Sequence, residues 1–306
     1  FFFKQKTAYE IPKRDWSSDV CSSDLLLAQQ IERLSALSGT AIVMDTATGD
    51  VLALSTIRRN EDGTYSADAG NFAAVEAYEP GSVAKVFSIA AALDQKTVEP
   101  TSVFTVGPSF TFNPESAEWR KTIKDAYPHG VEDMTVRKIL VDSSNVGTIH
   151  IAKTMSPESV YNYLRGFGFG SSTGVGFPGE AKGLLTSYKK WRGSENYTVS
   201  YGYGFAATQM QLVAAVNAVA NNGVYVTPRL VAGTVSPDGV QTNFDLGQTR
   251  TVLKPETSAM MRSLMSDVVC FGTAKLAQVP GMTVADRKST RLNSSHVSES
   301  RMPSSA

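Results

Sequence analysis

The sequence is short of cysteine and histidine, and it has no excess of charge of either sign. The 306 residues include two cysteines, Cys21 and Cys270, and three histidines, His129, His150 and His296. These scattered residues predict neither a disulfide framework nor a metal site, and each histidine is interpreted as an ordinary surface or core residue. The 29 basic and 29 acidic residues cancel, which argues against a nucleic-acid-binding protein. We therefore expect no metal, no cofactor and no nucleic-acid partner.

Long apolar runs are also missing from the sequence. No stretch approaches the roughly 20 apolar residues that a membrane-spanning helix requires. A content of 42% hydrophobic and 19% charged residues is typical of a globular domain and excludes a disordered chain. The composition therefore favours an ordinary folded enzyme domain.

Residues 79–85 (EPGSVAK) place a serine and a lysine three positions apart at the start of an apolar helix. The proline and glycine before Ser82 are typical of a loop, while residues 83–93 (VAKVFSIAAAL) predict a buried helix. Residues at i and i+3 share a helix face. A serine becomes a good nucleophile when a neighbouring base takes its proton, and burial near a helix N-terminus lowers the pKa of a lysine. Ser82 and Lys85 are therefore the candidate nucleophile and base.

Ser143 and Asn145 form a second candidate group, on a short connection between two predicted helices. Residues 134–141 (MTVRKILV) predict the first helix and residues 148–155 the second. A serine two positions before an asparagine can direct both polar groups to one side, as a proton relay and as an amide that orients a peptide carbonyl. The alternative is an ordinary helix cap, because both residue types are common there.

Both patterns also occur elsewhere in the chain. Ser187–Lys190 repeats the serine-x-x-lysine spacing among charged residues, with no apolar helix behind it, and predicts an exposed turn. Ser194–Asn196 repeats the serine-x-asparagine spacing. Neither pattern identifies a catalytic site by itself.

The order of the motifs over residues 39–285 resembles the transpeptidase domain of class B penicillin-binding proteins. A serine-x-x-lysine motif followed by further serine-containing motifs is typical of these enzymes. The blocks that match in family order are AIVMDTATGDVLALS (41–55), YEPGSVAK (78–85), SSNVG (143–147), FGFG (167–170), FPGE (177–180), GLL (183–185) and SYGYG (200–204). The resemblance implies an α+β fold shared with serine β-lactamases, with a helical subdomain and an antiparallel sheet.

The resemblance also implies a role for each candidate residue. Ser82 would attack the penultimate D-alanine carbonyl of a peptidoglycan stem peptide, and Lys85 would be the general base. Ser143 would pass a proton to the leaving amine, and Asn145 would hold the substrate amide and steady Lys85. The implied partners are stem peptides, β-lactams as inhibitors and a polytopic glycan polymerase, at the extracytoplasmic face of the bacterial plasma membrane.

The family's third motif, K-[ST]-G, is where the chain departs from the pattern. The tripeptide Lys288-Ser289-Thr290 is a near match. It is displaced by one residue, and a β-branched threonine replaces the glycine against which the substrate backbone lies. We therefore expect that this tripeptide does not replace the third motif, and that the chain is inactive.

The two ends of the chain have a different character. Residues 1–25 and 286–306 have no coherent period and look like translated sequencing-adapter sequence, so they are set aside as non-native. Residues 26–285 then form a partial transpeptidase domain. Without the later strands of the family, its hairpin is expected to be an isolated two-stranded one, which is marginally stable in water.

The remaining sequence predicts a simple order of elements. The expected elements are a helix at 26–37, a hairpin at 40–56, a less regular stretch at 101–131, glycine-rich loops at 166–183, a helix at 208–221, a strand near 225–232 and a helix at 255–269.

Two other functions stay open at this point. A catalytically silent member of the same fold could serve as a scaffold or sensor of a cell-wall complex, but it would not need all four polar residues. A serine β-lactamase would need a positioned water and a base to hydrolyse the acyl-enzyme, and the sequence identifies neither.

Overall fold

The structure, a computed structural model, describes residues 22–67, 70–113, 120–245 and 247–289. Within those ranges the α-helices are α1 (Ser22–Arg33), α2 (Phe72–Val75), α3 (Ala84–Asp94), α4 (Val136–Asp142), α5 (Asn145–Ala152), α6 (Pro157–Gly166), α7 (Glu195–Thr198), α8 (Gln209–Ala220) and α9 (Pro255–Phe271). The strands are β1 (Ser38–Met44), β2 (Val51–Arg59), β3 (Tyr65–Ala67), β4 (Ala77–Tyr78), β5 (Val103–Val106), β6 (Ser109–Phe112), β7 (Lys121–Lys124), β8 (Glu132–Thr135), β9 (Ala207–Thr208), β10 (Val224–Val226), β11 (Gly233–Val235), β12 (Gln241–Asn243) and β13 (Thr249–Thr251). The α+β prediction is confirmed.

Helix α3 is the centre of the main core. Its alanine-rich apolar sequence lets neighbouring helices approach closely, and all of its residues are buried. The ring of Phe87 lies 4.9 Å from that of Phe167 and 5.0 Å from that of Phe169, measured between centroids. Helices α5, α6 and α9 pack around it. The buried helix that the sequence predicts after Ser82 is therefore present.

The hairpin at the start of the chain belongs to a three-stranded sheet. β1 and β2 pair antiparallel, with Thr40 opposite Thr56, and β3 pairs with β2 on its other side. The prediction of an isolated two-stranded hairpin is wrong, because the Asn60–Thr64 turn brings a third strand onto β2. Helix α1 packs on this sheet and buries Ile31.

The first helix is displaced relative to the prediction. It covers Ser22–Arg33, not residues 26–37. It therefore includes the last residues of the segment that was set aside as non-native. It ends early because Ser35 adopts a left-handed backbone conformation with φ of 50°, and the chain enters β1 three residues later.

Residues 101–131 are more regular than their sequence predicts. β5 pairs with β8 and β6 pairs with β7, both antiparallel. Each of these strands has only four residues, which is too short for a clear alternation to stand out. The later helices agree with prediction, since α8 and α9 lie within two residues of the expected bounds, and residues 167–183 form loops. Of the strand expected near 225–232, only its start is present, in β10.

The described ranges were also searched for membrane-spanning helices and for metal-binding groups. No helix in them is both long and apolar enough to cross a membrane. No group of three histidine, cysteine or acidic residues in them is arranged to hold a metal ion. Cys270 is an exposed free thiol, while Cys21 and His296 lie outside the described residues.

Candidate active site

Ser82 lies in a single 3-10 turn, Gly81–Val83, that leads directly into α3. The loop is held from the other side by the SYGYG segment, because the backbone N–H of Gly81 donates to the carbonyl of Gly202 at 3.1 Å. Gly202 has φ of 97°, and a Cβ at that position would lie 1.9 Å from the carbonyl oxygen of Gly81. Only glycine allows this approach. The position of Ser82 therefore depends on a segment more than a hundred residues away.

Ser143 and Asn145 lie where α4 ends and α5 begins, as the sequence predicts. Ser143 is in the left-handed region, with φ of 63° and ψ of 35°, which is uncommon for a residue with a side chain. Ser144 makes the side-chain cap of α5 by accepting from the backbone N–H of Gly147 at 2.8 Å. The side chains of Ser143 and Asn145 are therefore available for other contacts.

Those contacts are made with Lys85. The Lys85 ammonium donates to the backbone oxygen of Ser143 at 2.6 Å, to its Oγ at 3.1 Å and to Oδ1 of Asn145 at 2.7 Å. The Ser143 hydroxyl in turn donates to Oγ of Ser82 at 3.2 Å. All four residues that were predicted from the two motifs thus form one hydrogen-bonded cluster.

The environment of Lys85 lowers its pKa well below the usual range. Burial is the main cause, since the side chain is fully inaccessible to water, and the positive charge of Arg287 adds to it. The negative charge of Asp125 acts in the opposite direction. A lowered pKa favours the neutral amine, which is the form of lysine that can act as a general base.

Arg287 is a site residue that the sequence analysis missed. It lies in the tail whose sequence looks non-native, yet it is 2% exposed and donates from Nη2 to Oγ of Ser143 at 2.5 Å. Burial lowers its pKa to about 10, against the opposing effect of Asp286, so it is a cation at neutral pH. Residues 286–289 are thus packed against the candidate site, while their assignment as non-native sequence stays a prediction. A polar tail without periodicity has no sequence signal for this placement.

A cavity of about 210 Å³ opens beside the cluster. Ser82, Ser143 and Asn145 line one side of it, and Lys288 and Ser289 are also part of its wall. Thr290 lies outside the described residues. The expectation that this tripeptide does not replace the third motif stays a prediction.

The repeated patterns elsewhere lie apart from this cavity. Ser187–Lys190 leads into a 3-10 turn in which both lysines are exposed, as the sequence predicts. Ser194 precedes the short helix α7 without making a side-chain cap. Neither segment lines the cavity next to Ser82.

Comparison with known proteins identifies the class. Residues 39–286 match the penicillin binding protein transpeptidase domain, and the chain belongs to this family. The chain is 36% identical to Penicillin-binding protein PbpB of Mycolicibacterium smegmatis, over 86% of this chain and 42% of that protein. It is 32% identical to the probable peptidoglycan D,D-transpeptidase PenA of Neisseria flavescens, over 83% of this chain and 60% of that protein.

Solved structures give the same result for the fold. The apo form of penicillin binding protein 3 from Mycobacterium tuberculosis superposes with a TM-score of 0.75 and 31% identity, over 85% of this chain and 60% of that chain. A complex of that protein with aztreonam gives a TM-score of 0.72. The sequence therefore spans about 40% to 60% of the length of the relatives named here.

Proposed function

We propose that this domain belongs to a peptidoglycan D,D-transpeptidase, a serine acyltransferase that penicillins inactivate. The observation that carries the proposal is the cluster of Ser82, Lys85, Ser143 and Asn145, in which a fully buried lysine is joined to the candidate nucleophile through a second serine. The family membership and the names of the relatives support the same reaction.

Each residue then has a defined role. With Lys85 neutral, the hydrogen bonds reverse, so that Ser82 donates to Ser143 and Ser143 donates to Lys85. Ser82 Oγ attacks the carbonyl carbon of the penultimate D-alanine, and its proton passes through Ser143 to Lys85. The C–N bond breaks, and that proton goes back through Ser143 to the amine of the leaving D-alanine. Asn145 keeps Lys85 in place and presents its amide to the peptide.

The second half of the reaction follows the same route. The amine of another stem peptide attacks the acyl-enzyme, releases Ser82 and forms the cross-link, and its proton returns through the same groups. Stem peptides are therefore the substrates and β-lactams the inhibitors, while a polytopic glycan polymerase is the proposed partner of the parent protein. The proposed location is the extracytoplasmic face of the plasma membrane.

The test uses a fluorescent penicillin and two proteins. One is the 306-residue chain, and the other is the same chain continued after Ala285 by the C-terminal strands of PbpB from M. smegmatis. We expect the chimera to be labelled on Ser82, as mapped by peptide sequencing, and the Ser82→Ala chimera to stay unlabelled. Label on Ser187, or no label in a folded chimera, would overturn the proposal.

The 306-residue chain is expected to react at least about a hundredfold more slowly than the chimera. The third motif and the residues after it supply the cation and one backbone donor to the carbonyl oxygen in this family, and a lost donor costs roughly 10²–10³ in rate. The buried Arg287 next to Ser143 adds a cation where the substrate's reacting groups have to fit. Equal labelling rates would show that the described tail completes the site by itself.

The two alternatives predict different results in the same experiment. A silent scaffold leaves the chimera unlabelled although it is folded. A β-lactamase becomes labelled and then loses the label within minutes, because water hydrolyses the acyl-enzyme. We expect a stable label, which sets the transpeptidase apart from both.

A further inference from the structure

Asp125 is a buried carboxylate that neither sequence motif includes. It follows β7, and its side chain is 6% exposed. Oδ1 accepts from the backbone N–H of Asn145 at 2.5 Å and of Val146 at 3.0 Å, while Oδ2 accepts from the hydroxyl of Ser144 at 2.6 Å. These three donors belong to the turn that starts α5. One carboxylate therefore fixes both the backbone and the cap of this turn.

The orientation of the Asn145 side chain depends on Lys124, the residue before Asp125. Its Nδ2 donates to the backbone oxygen of Lys124 at 2.9 Å, which leaves Oδ1 directed at Lys85, 2.7 Å away. The contacts of Lys124 and Asp125 thus hold the backbone and the amide of Asn145 from one side. If the turn moved, Lys85 would lose all three of its oxygen partners, the carbonyl and hydroxyl of Ser143 and the amide of Asn145.

His129 contacts the other end of this carboxylate. Its Nε2 lies 2.9 Å from Oδ2 of Asp125, and its Nδ1 lies 2.7 Å from the carbonyl of Gly130. Both neighbours are acceptors, so the ring satisfies both contacts only when both of its nitrogens carry a proton. Hydrogen bonding by Asp125 raises the pKa of His129 accordingly.

Three further charged groups lie around Asp125 and His129. They are Glu132, Lys138 and Asp142, which pairs with Lys138 at 2.5 Å and lines the same cavity as Asp125 and His129. Glu132 Oε1 lies 3.5 Å from Nδ1 of His129, and Lys138 lies 3.6 Å from the other oxygen of Glu132. On the side of Lys85, Asp125 and Arg287 are the charged groups that act on its pKa, with opposite signs. Asp125 is thus the group that links the histidine to the candidate base.

We propose that Asp125 is a positioning residue for the acyl transfer, which holds the Ser144–Asn145 turn against Lys85, and that His129 controls the charge that this carboxylate presents to Lys85. The proposal rests on the proposed function for its chemical meaning. It states that the charges of His129, Asp125 and Lys85 act on one another. This interaction can be measured without a penicillin. A failure of penicillin labelling and a failure of this coupling are therefore separate results.

The experiment is an NMR titration of the 306-residue chain labelled with ¹³C at the lysine ε-carbons and with ¹⁵N. The Lys85 signal is assigned as the one that disappears in Lys85→Arg. In Asp125→Asn we expect the Lys85 midpoint to fall by roughly one pH unit, because an opposite charge nearby is lost. Asp133→Asn is the matched control, since it removes a carboxylate charge on β8 that accepts from Thr105 and makes no contact with the turn, and its Lys85 midpoint should stay that of the wild type.

The wild-type chain supplies a second readout that does not depend on a variant's folding. We expect the backbone N–H signals of Asn145 and Val146, which contact Asp125, to titrate with the midpoint of the His129 ring, above about 6.5. With only three histidines in the sequence, the ring is assigned by His129→Gln. A Lys85 midpoint that does not move in folded Asp125→Asn, or N–H signals that ignore His129, would overturn the proposal. A midpoint that moves equally in Asp133→Asn would show a general effect of lost charge and would likewise overturn the proposal.

Discussion

The helical region around α3 is buried more completely than the three-stranded sheet β1–β3. Every residue of α3 is buried, and aromatic rings from the loop after α6 close over Phe87. The sheet, in contrast, leaves Val43 50% exposed and Leu52 61% exposed on its two paired strands. The helical region has neighbours on all sides. The sheet is packed by α1 and, through Ile42, Met44 and Val51, by a smaller core cluster that includes α8, and it leaves parts of both strands open to water.

This difference places the chemistry in the helical region. Ser82, Lys85, Ser143 and Asn145 all lie at the ends of helices that pack into one core, so their separations are fixed by rigid elements. The sheet contributes none of the cluster's hydrogen bonds. We therefore expect changes near α3 to affect both stability and activity, and changes on the open parts of the sheet to affect little.

Lys85→Arg tests the helical region most severely. Arginine keeps the charge but does not act as a base, because it is not deprotonated in proteins. We expect the labelling rate of the chimera with fluorescent penicillin to fall about a thousandfold, within the range of general base catalysis. Lys190→Arg, in the exposed copy of the motif, is the control and should react normally. A Lys85→Arg variant that reacts at the wild-type rate would make Lys85 a structural residue.

Phe87→Ala and Leu52→Ala compare the two regions directly. The first removes a fully buried ring from the core and should lower the free energy of unfolding by about 3–5 kcal/mol. The second shortens a mostly exposed side chain on β2 and should change it by less than about 0.5 kcal/mol. Urea unfolding followed by circular dichroism measures both. Similar losses in the two variants would contradict the comparison.

Gly202→Ala tests the contact that holds the Ser82 loop. The new methyl group would meet the Gly81 carbonyl at 1.9 Å, and together with the positive φ it should cost about 3 kcal/mol of unfolding free energy. Gly176→Ala is the matched control, because Gly176 also has a positive φ, of 82°, but nothing lies within 4 Å of its Cβ position. We expect about 1 kcal/mol there, and equal losses would mean that the close approach is unimportant.

Asp50→Asn tests the ion pair that joins the hairpin of β1 and β2 to the segment after β10. Arg229 donates to both oxygens of Asp50, at 2.6 and 3.0 Å, and this hydrogen bonding lowers the pKa of Asp50 below its usual 3.8. The pair therefore stabilises the fold above about pH 3.8 and loses its effect as the pH falls through the lower, folded-state pKa. Because the pair is partly exposed, we expect only about 0.5–1 kcal/mol.

The measurement is urea unfolding of the wild type and Asp50→Asn in a pH series from neutral pH downward past 3.8, the usual pKa of Asp50. The difference between the two proteins should shrink as the pH falls through the folded-state pKa of Asp50. A difference that stays constant over this range would assign the effect to packing and not to the charge of Asp50.

The sequence predicted the features that depend on neighbouring residues. The apolar run after Ser82 indicated a buried helix, and the spacing of Ser82 and Lys85 placed them together on it. The breaks around Ser143 and Asn145 indicated a helix-to-helix turn, and the ordered blocks indicated the family. Each of these signals is local, since helix periodicity, caps and turns act over a few residues.

The third strand of the sheet and the pairs formed by β5 to β8 escaped prediction. Their strands have three or four residues each, so the alternation within one strand carries little information. What stabilises them is pairing with a partner elsewhere in the chain. The left-handed conformation of Ser143 also depends on a distant partner, because the carbonyl and hydroxyl of Ser143 both accept from Lys85.

The candidate site itself shows where sequence reasoning ends. Motif spacing placed Ser82 beside Lys85, but only the tertiary structure brought Lys85 to Ser143 and Asn145, 58 and 60 positions away. Only the tertiary structure put Arg287 against Ser143, across 144 positions, and Asp125 behind the Asn145 turn. The physical reason is that hydrogen bonds and burial depend on distance in space, and residues so far apart in the chain carry no local pattern that announces their contact.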